Sequence, residues 1–340
     1  MSLREARQWP FRLLEVREGF MIDGVDPESF RTKRFTRGDL VTSIDGVTIE
    51  DWIDREARDV FASTDASRRW WAVFRLGAST SSAQIQVVTI ARGETNPRTV
   101  RAPCVPLESP VPHMSWEPNE RIVRELDAET GYFRPGSFVA TNGGAFKNAA
   151  PEARDEVLAQ DYESLRDVFE QIESKSKLVL DLRQNPGGTD LIAQALARHL
   201  LEPGFVYYSL SSKRDGLWVN PFEQRPRVGY SRPSFGGKLA VLIDARTFST
   251  ADNLACCLRD SHPDVRFVGQ QTGSGSGAPR TFELPSTKAR VTFCTMRVYA
   301  PGGKPVEGYG VRPDVEVLRT RDEVLNDIDV GLDAALRSLR

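Results

Sequence analysis

The chain has 340 residues, of which 40% are hydrophobic and 27% charged, and it carries a net charge of −2. That length suits two domains, and the near-neutral balance gives no electrostatic pull toward nucleic acid or an anionic membrane. No apolar run approaches the roughly 18 residues of a membrane helix, and the four cysteines and three histidines have neither disulfide-scaffold nor zinc-site spacing.

The opening Met1-Ser2-Leu3 reads as an expression scar joined to an internal fragment, and no signal peptide is visible. The first hundred residues alternate short β-like runs with turn signals. Phe11–Val16, Phe20–Val25 and Leu40–Ile44 read as strands, the last leading into Asp45-Gly46, a hairpin dipeptide. Asp51–Phe61 reads as a helix with Trp52, Ile53, Ala57, Val60 and Phe61 on one side. Ile85–Ala91 and Arg98–Ala102 read as strands. Prolines at 103, 106, 110, 112 and 118 then mark an extended linker.

The second part reads as α/β. Asp161–Ile172, Leu191–Leu201 and the segment around Asn253–Arg259 have helical patterning; Cys256 and Cys257 in the last of these read as buried free thiols. Lys177–Leu182 and Leu239–Ile243 are near-continuous apolar runs, as buried parallel strands require. Val265–Val268, Val291–Val298 and Val315–Leu318 read as further strands, giving a layered α/β domain.

Two segments carry chemistry. Asp181-Leu182-Arg183-Gln184-Asn185-Pro186-Gly187-Gly188 ends a buried strand and precedes a helix. Its glycines let the backbone turn sharply and expose N–H groups, which suit a phosphate, a carboxylate or a developing oxyanion. Its plainer reading is a strand-to-helix turn. The second segment, Asp244–Asp252, places Ser249 where a strand hands over to a helix. That is the logic of a nucleophile elbow, although a serine there can equally cap the helix. Taken together, one segment supplies a hydroxyl and the other supplies oxyanion donors at the carboxyl edge of one sheet.

Five motifs in order resemble the tail-specific (C-terminal processing) protease family. They are Gly131-Tyr132-Phe133, Leu180 to Gly188, Thr247-Phe248-Ser249-Thr250-Ala251-Asp252, Val268-Gly269-Gln270-Gln271-Thr272-Gly273, and Glu307-Gly308-Tyr309-Gly310-Val311-Arg312-Pro313-Asp314. More loosely, Arg37-Gly38-Asp39-Leu40-Val41 with Ile44-Asp45-Gly46 resembles that family's PDZ-like domain. The resemblance implies a ClpP/crotonase-like layered α/β catalytic domain over 131–340, preceded by a β-rich PDZ-like domain over 1–105 and a proline-rich linker with a leading helix over 106–130. It implies a serine endopeptidase with Ser249 as nucleophile, Glu307 as a site carboxylate, and the N–H groups of Gly187 or Gly188 and of Thr250 as oxyanion donors. It implies no metal or cofactor, a polypeptide substrate engaged by its C-terminal tail, and a periplasmic or extracellular setting.

The chain departs from that pattern at one position. The lysine of the family's Gly-Lys-Gly turn is replaced in Gly273-Ser274-Gly275-Ser276-Gly277. The tricorn branch of the family instead implies a histidine base ahead of the PDZ-like domain, paired with a glutamate matching Glu307. The base is therefore expected upstream of this fragment. Of the three histidines present, His113 in the linker is the candidate base, ahead of His199 and His262. The missing lysine leaves an alternative open: a non-catalytic module for peptide or apolar ligands on the same fold, as in the interphotoreceptor retinoid-binding protein.

Overall fold

A computed structural model describes residues 6–112, 120–226 and 234–340. The chain divides into two compact units, Met1–Pro118 with Leu318–Val330, and Asn119–Val317 with Gly331–Arg340.

The first unit is built on an antiparallel sheet of β1 (Phe11–Val16), β2 (Gly19–Val25), β3 (Leu40–Ile44), β4 (Gln84–Ile90) and β5 (Arg98–Pro103) in that order. Val47–Thr48 folds back onto β3 through the expected turn, with Asp45 and Gly46 both at positive φ, as a two-residue hairpin requires. Helices α1 (Ile49–Ala57) and α2 (Asp65–Arg75) cover the sheet, each N-capped by a threonine, Thr48 and Thr64. Phe11, Leu13, Ile22, Val41, Ile44, Ile85 and Val87 meet Ile49, Ile53, Ala72 and Val73 in one core. Helix α1 ends four residues before Phe61, which is fully exposed and not on the buried face expected for it. The chain also returns late to this unit. Arg17 N–H bonds the Arg319 carbonyl at 2.9 Å, and Val324 packs with Val16 and Met21.

The second unit holds the sheet that matters for chemistry. Its strands are β6 (Ile122–Glu125), β7 (Thr130–Arg134), β8 (Lys177–Asp181), β10 (Lys238–Ile243), β11 (Arg266–Gly269) and β15 (Val315–Glu316), in the order β15-β11-β10-β8-β7-β6. All pairings are parallel except β6 with β7. Within the linker and entry helix expected over 106–130, residues 113–119 lie outside the described residues, and the β-branched pair Ile122-Val123 sits in edge strand β6.

Side chains of the central strands alternate between two cores, because successive residues of a strand point to opposite faces. Phe133, Leu178, Leu180, Leu239, Val241 and Ile243 face helices α3 (Ala159–Ile172), α4 (Asp190–Arg198) and α5 (Thr250–Ser261). Tyr132, Val179, Ala240, Leu242 and Val268 face α6 (Val330–Ser338). Both faces are covered, which is why these strands read as unbroken apolar runs. Each fully buried aliphatic side chain contributes roughly 1.5–3 kcal/mol.

A smaller sheet pairs β9 (Tyr208–Arg214) with β14 (Met296–Tyr299), and β12 (Pro279–Glu283) pairs with β13 (Arg290–Cys294) as a separate hairpin. The single strand expected over 291–298 is therefore two. The break falls at Thr295, where the N–H groups of Thr295 and Met296 both turn to the Gly277 carbonyl. Cys256 and Cys257 are buried and unpaired, as expected.

Candidate active site

The carboxyl ends of β8 and β10 lead into adjacent turns, cross-linked by backbone and side chain. After β8, Leu182 N–H still bonds the Leu242 carbonyl at 2.9 Å. Gln184 then takes a positive φ and gives its N–H to Asp244 Oδ1 at 3.0 Å. Asn185, almost wholly buried, is the hub. Its Nδ2 donates to the Gly136 carbonyl at 2.7 Å, its Oδ1 accepts Gly187 N–H at 2.9 Å, and its carbonyl accepts Phe248 N–H at 3.0 Å.

Gly187 has φ +94°, and a Cβ on it would lie 2.7 Å from the Phe248 carbonyl oxygen and from Thr250 N, and 2.8 Å from Ser249 Cβ. Only a residue without a side chain lets the two turns come this close. Because Asn185 occupies the Gly187 N–H, the donor that the turn leaves open is the N–H of the exposed Gly188.

After β10, Thr247 braces the second turn. Its Oγ1 donates to the Leu182 carbonyl at 2.9 Å and accepts Asp244 N–H at 3.1 Å. Ser249 follows at φ +57° and ψ −122°. A non-glycine residue in such a conformation costs on the order of 1–3 kcal/mol and is held there by its surroundings. Ser249 stands at the N-cap position of α5, yet its side chain makes no capping bond and no hydrogen bond with any described residue. The capping role open to it from sequence is thus not the one it plays. Thr250, the first helical residue, keeps its own N–H uncommitted beside Gly187.

The first turn of α5 also carries Asp252, wholly buried, with Oδ1 accepting the Thr272 hydroxyl at 2.7 Å and Oδ2 without a hydrogen-bond partner among the described residues. Burial pushes this carboxyl up to about 7, opposed by the Thr272 bond and reinforced by the nearby charge of Glu307. Thr272 Oγ1 also accepts Val311 N–H at 2.8 Å. Ser274, in the turn that lacks the family's lysine, is buried and bonds the Val306 carbonyl through its hydroxyl. These bonds hold the loop of Glu307 beside the N-terminal end of α5.

The histidines fall elsewhere. His199 ends α4, stacks on Phe169 with ring centroids 4.3 Å apart, and has Nδ1 2.8 Å from Ser234 Oγ. Burial drives it down to about 4, which fits a neutral packing residue. His262 caps the far end of α5, about 20 Å from Ser249 along the helix. His113 lies outside the described residues. Among the described histidines none stands at Ser249.

Residues 130–317 match the family model described as Peptidase family S41, and residues 22–103 match the N-terminal domain of the Bacteroidetes S41 peptidases. The chain belongs to peptidase family S41. Among S41 relatives, a carboxyl-terminal-processing protease of Picosynechococcus is 29% identical over 144 residues, covering 42% of this chain and 32% of that protein. Its counterpart in Synechocystis is 27% identical over 183 residues, covering 52% and 40%. The chain thus spans about a third of the length of the curated relatives it matches. The solved structure of mature CPAF complexed with lactacystin superposes with a TM-score of 0.73 at 13% identity, over 98% of this chain and 83% of that one. That likeness speaks to the fold.

Three residues of the site carry weight that sequence reading did not assign. Asn185 was visible inside its motif, but its role depends on which carbonyls the fold brings to it. Asp190 and Asp252 look like ordinary first-turn helix carboxylates; only the fold brings Asn253 and Tyr208 to the first and buries the second against Thr272.

Proposed function

We propose that the protein is a serine endopeptidase that hydrolyses polypeptides through an acyl-enzyme on Ser249. The observation that carries this reading is Ser249 itself: uncapped, held at a strained backbone angle, and adjoining the free N–H groups of Gly188 and Thr250. Ser249 Oγ adds to the peptide carbonyl carbon while its proton passes to a base. The carbonyl oxygen takes the negative charge, and Gly188 and Thr250 N–H groups stabilise it. Losing one such donor costs on the order of 100-fold in rate. The proton then goes to the leaving amine, and water hydrolyses the acyl ester.

The base is a residue outside the described ones, in keeping with the tricorn-like pattern, and Glu307 is the carboxylate that orients it. The absence of a lysine from the Gly273-Ser274-Gly275-Ser276-Gly277 turn supports that arrangement over a serine–lysine pair. Membership of family S41 and the printed names of the carboxyl-terminal-processing relatives support a substrate engaged by its C-terminal tail, with the N-terminal unit as a PDZ-like tail-binding domain. An exported setting rests on the family resemblance, and no described helix is long and apolar enough to cross a membrane.

The test is hydrolysis of unfolded casein and of one synthetic peptide with either a free or an amidated C-terminus. Cleavage abolished by Ser249→Ala, with the free carboxylate favoured, is the expected result. Peptide binding without cleavage by the natural full-length protein would overturn the enzymatic reading and restore the binding-module alternative.

A further inference from the structure

The two oxyanion donors of the proposed site belong to different turns, 62 residues apart in sequence at Gly188 and Thr250. Their usefulness depends on their mutual placement, because a misplacement of about 1 Å costs on the order of 100-fold in rate. Each donor's peptide unit is anchored on its far side. Gly187 O accepts Phe138 N–H at 2.9 Å, and a trans peptide then aims the Gly188 N–H the opposite way. Ser249 O accepts Asn253 N–H at 2.9 Å, which aims the Thr250 N–H in the same manner.

Besides the bonds that cross-link the two turns, one carboxylate ties the helices that follow them. Asp190, the first residue of α4 and two positions beyond Gly188, accepts Asn253 Nδ2 at Oδ1 (3.0 Å) and Tyr208 Oη at Oδ2 (3.3 Å). Thr250 Oγ1 bonds the Gly188 carbonyl at 2.9 Å and also interacts with the Asp190 side chain. Thr250, Asn253 and Tyr208 are all buried, so their donors have no water to turn to.

We propose that Asp190 is the positioning residue of the oxyanion site, tying the start of α4 to the start of α5 through Thr250 and Asn253. It touches neither substrate nor the reacting atoms. The inference rests on Ser249 being the nucleophile, and it names the side chain that sets the geometry there. An asparagine at 190 keeps the size, but its amide nitrogen meets a donor where a carboxylate oxygen accepts one, so one cross-link is lost.

The experiment compares a peptide boronate, which forms a tetrahedral adduct with an activated serine, with the matching peptide amide, which forms none. Both are titrated calorimetrically against the natural full-length protein and its Asp190→Asn, Thr250→Val, Thr250→Ser and Ser249→Ala variants. Asp190→Asn and Thr250→Val are expected to weaken boronate binding by roughly 10- to 100-fold, with amide affinity held within about twofold. Thr250→Ser keeps the hydroxyl and is expected to recover most of the loss. Equal boronate affinity in folded Asp190→Asn and Thr250→Val would overturn the proposal, and so would an equal fall in amide affinity, the mark of a merely structural role. If Asp190→Asn shows no melting transition, Tyr208→Phe and Thr250→Val carry the same comparison. A wild type that binds boronate no better than Ser249→Ala does would instead remove the nucleophile reading, and the proposal with it.

Discussion

Two glycine turns in this molecule hold a positive φ for opposite reasons. At Gly46, between β3 and the short strand after it, φ is +76° and an added Cβ would meet nothing within 4 Å. At Gly187, φ is +94° and an added Cβ would strike three atoms of the Ser249 turn within 2.8 Å. The first turn needs glycine for its backbone angle, and the second also needs the empty space. At Gly46 the glycine answers to the backbone angle alone. Turns at the carboxyl edge of the parallel sheet are shared parts, in which each residue is held by the other turn.

That contrast is open to breaking. The largest effect is expected at Gly187→Ala, where hydrolysis of casein should fall by about 100-fold or more because the oxyanion donors are pushed apart. Near-normal activity in that variant would show that the close approach does not matter to the chemistry. Asn185→Ala comes next. It strands the Gly136 carbonyl and the Gly187 N–H together, each costing about 1–3 kcal/mol when buried without a partner, and a lowered urea midpoint reports it.

Asp252 sharpens the same point through pH. Its folded value of about 7 lies above the ordinary 3.8. A carboxyl raised on folding favours the folded state fully below about pH 4, and that contribution is lost as pH rises through 7. Asp252→Asn should therefore flatten the decline, with a melting temperature several degrees above wild type at pH 8 and little different near pH 4. Parallel melting curves across that range would contradict the burial. The smallest effect is Gly46→Ala, which should cost roughly 1–2 kcal/mol for a side chain in the left-handed region, seen as a melting shift of a few degrees with no change in rate.

How much of this was legible in sequence follows the same division. The buried parallel strands could be read because both faces of the sheet are covered, so Leu178-Val179-Leu180 and Val241-Leu242-Ile243 are apolar without interruption. The Asp45-Gly46 turn could be read because its cause is local. Helix α2 was missed because Arg68, Arg69, Trp70 and Trp71 mix charge and aromatic surface along it, and the cap at Thr64 was the signal available. The return of Val324 to the first unit has no local signature at all. At the site, Ser249 and the glycine pair were found as motifs. The division of labour between Gly187 and Gly188 was not, because it depends on Asn185 Oδ1 reaching one N–H and leaving the other. Asp190 stayed hidden for a like reason: its two donors, Asn253 Nδ2 and Tyr208 Oη, come from α5 and β9.

The central claim is that Ser249 is an activated nucleophile. Its most direct test is reaction of the natural full-length protein with a fluorophosphonate probe, read by intact mass and peptide mapping beside Ser249→Ala. The account predicts a single adduct on Ser249 that vanishes in the variant. No adduct, or one that persists in Ser249→Ala, would contradict it.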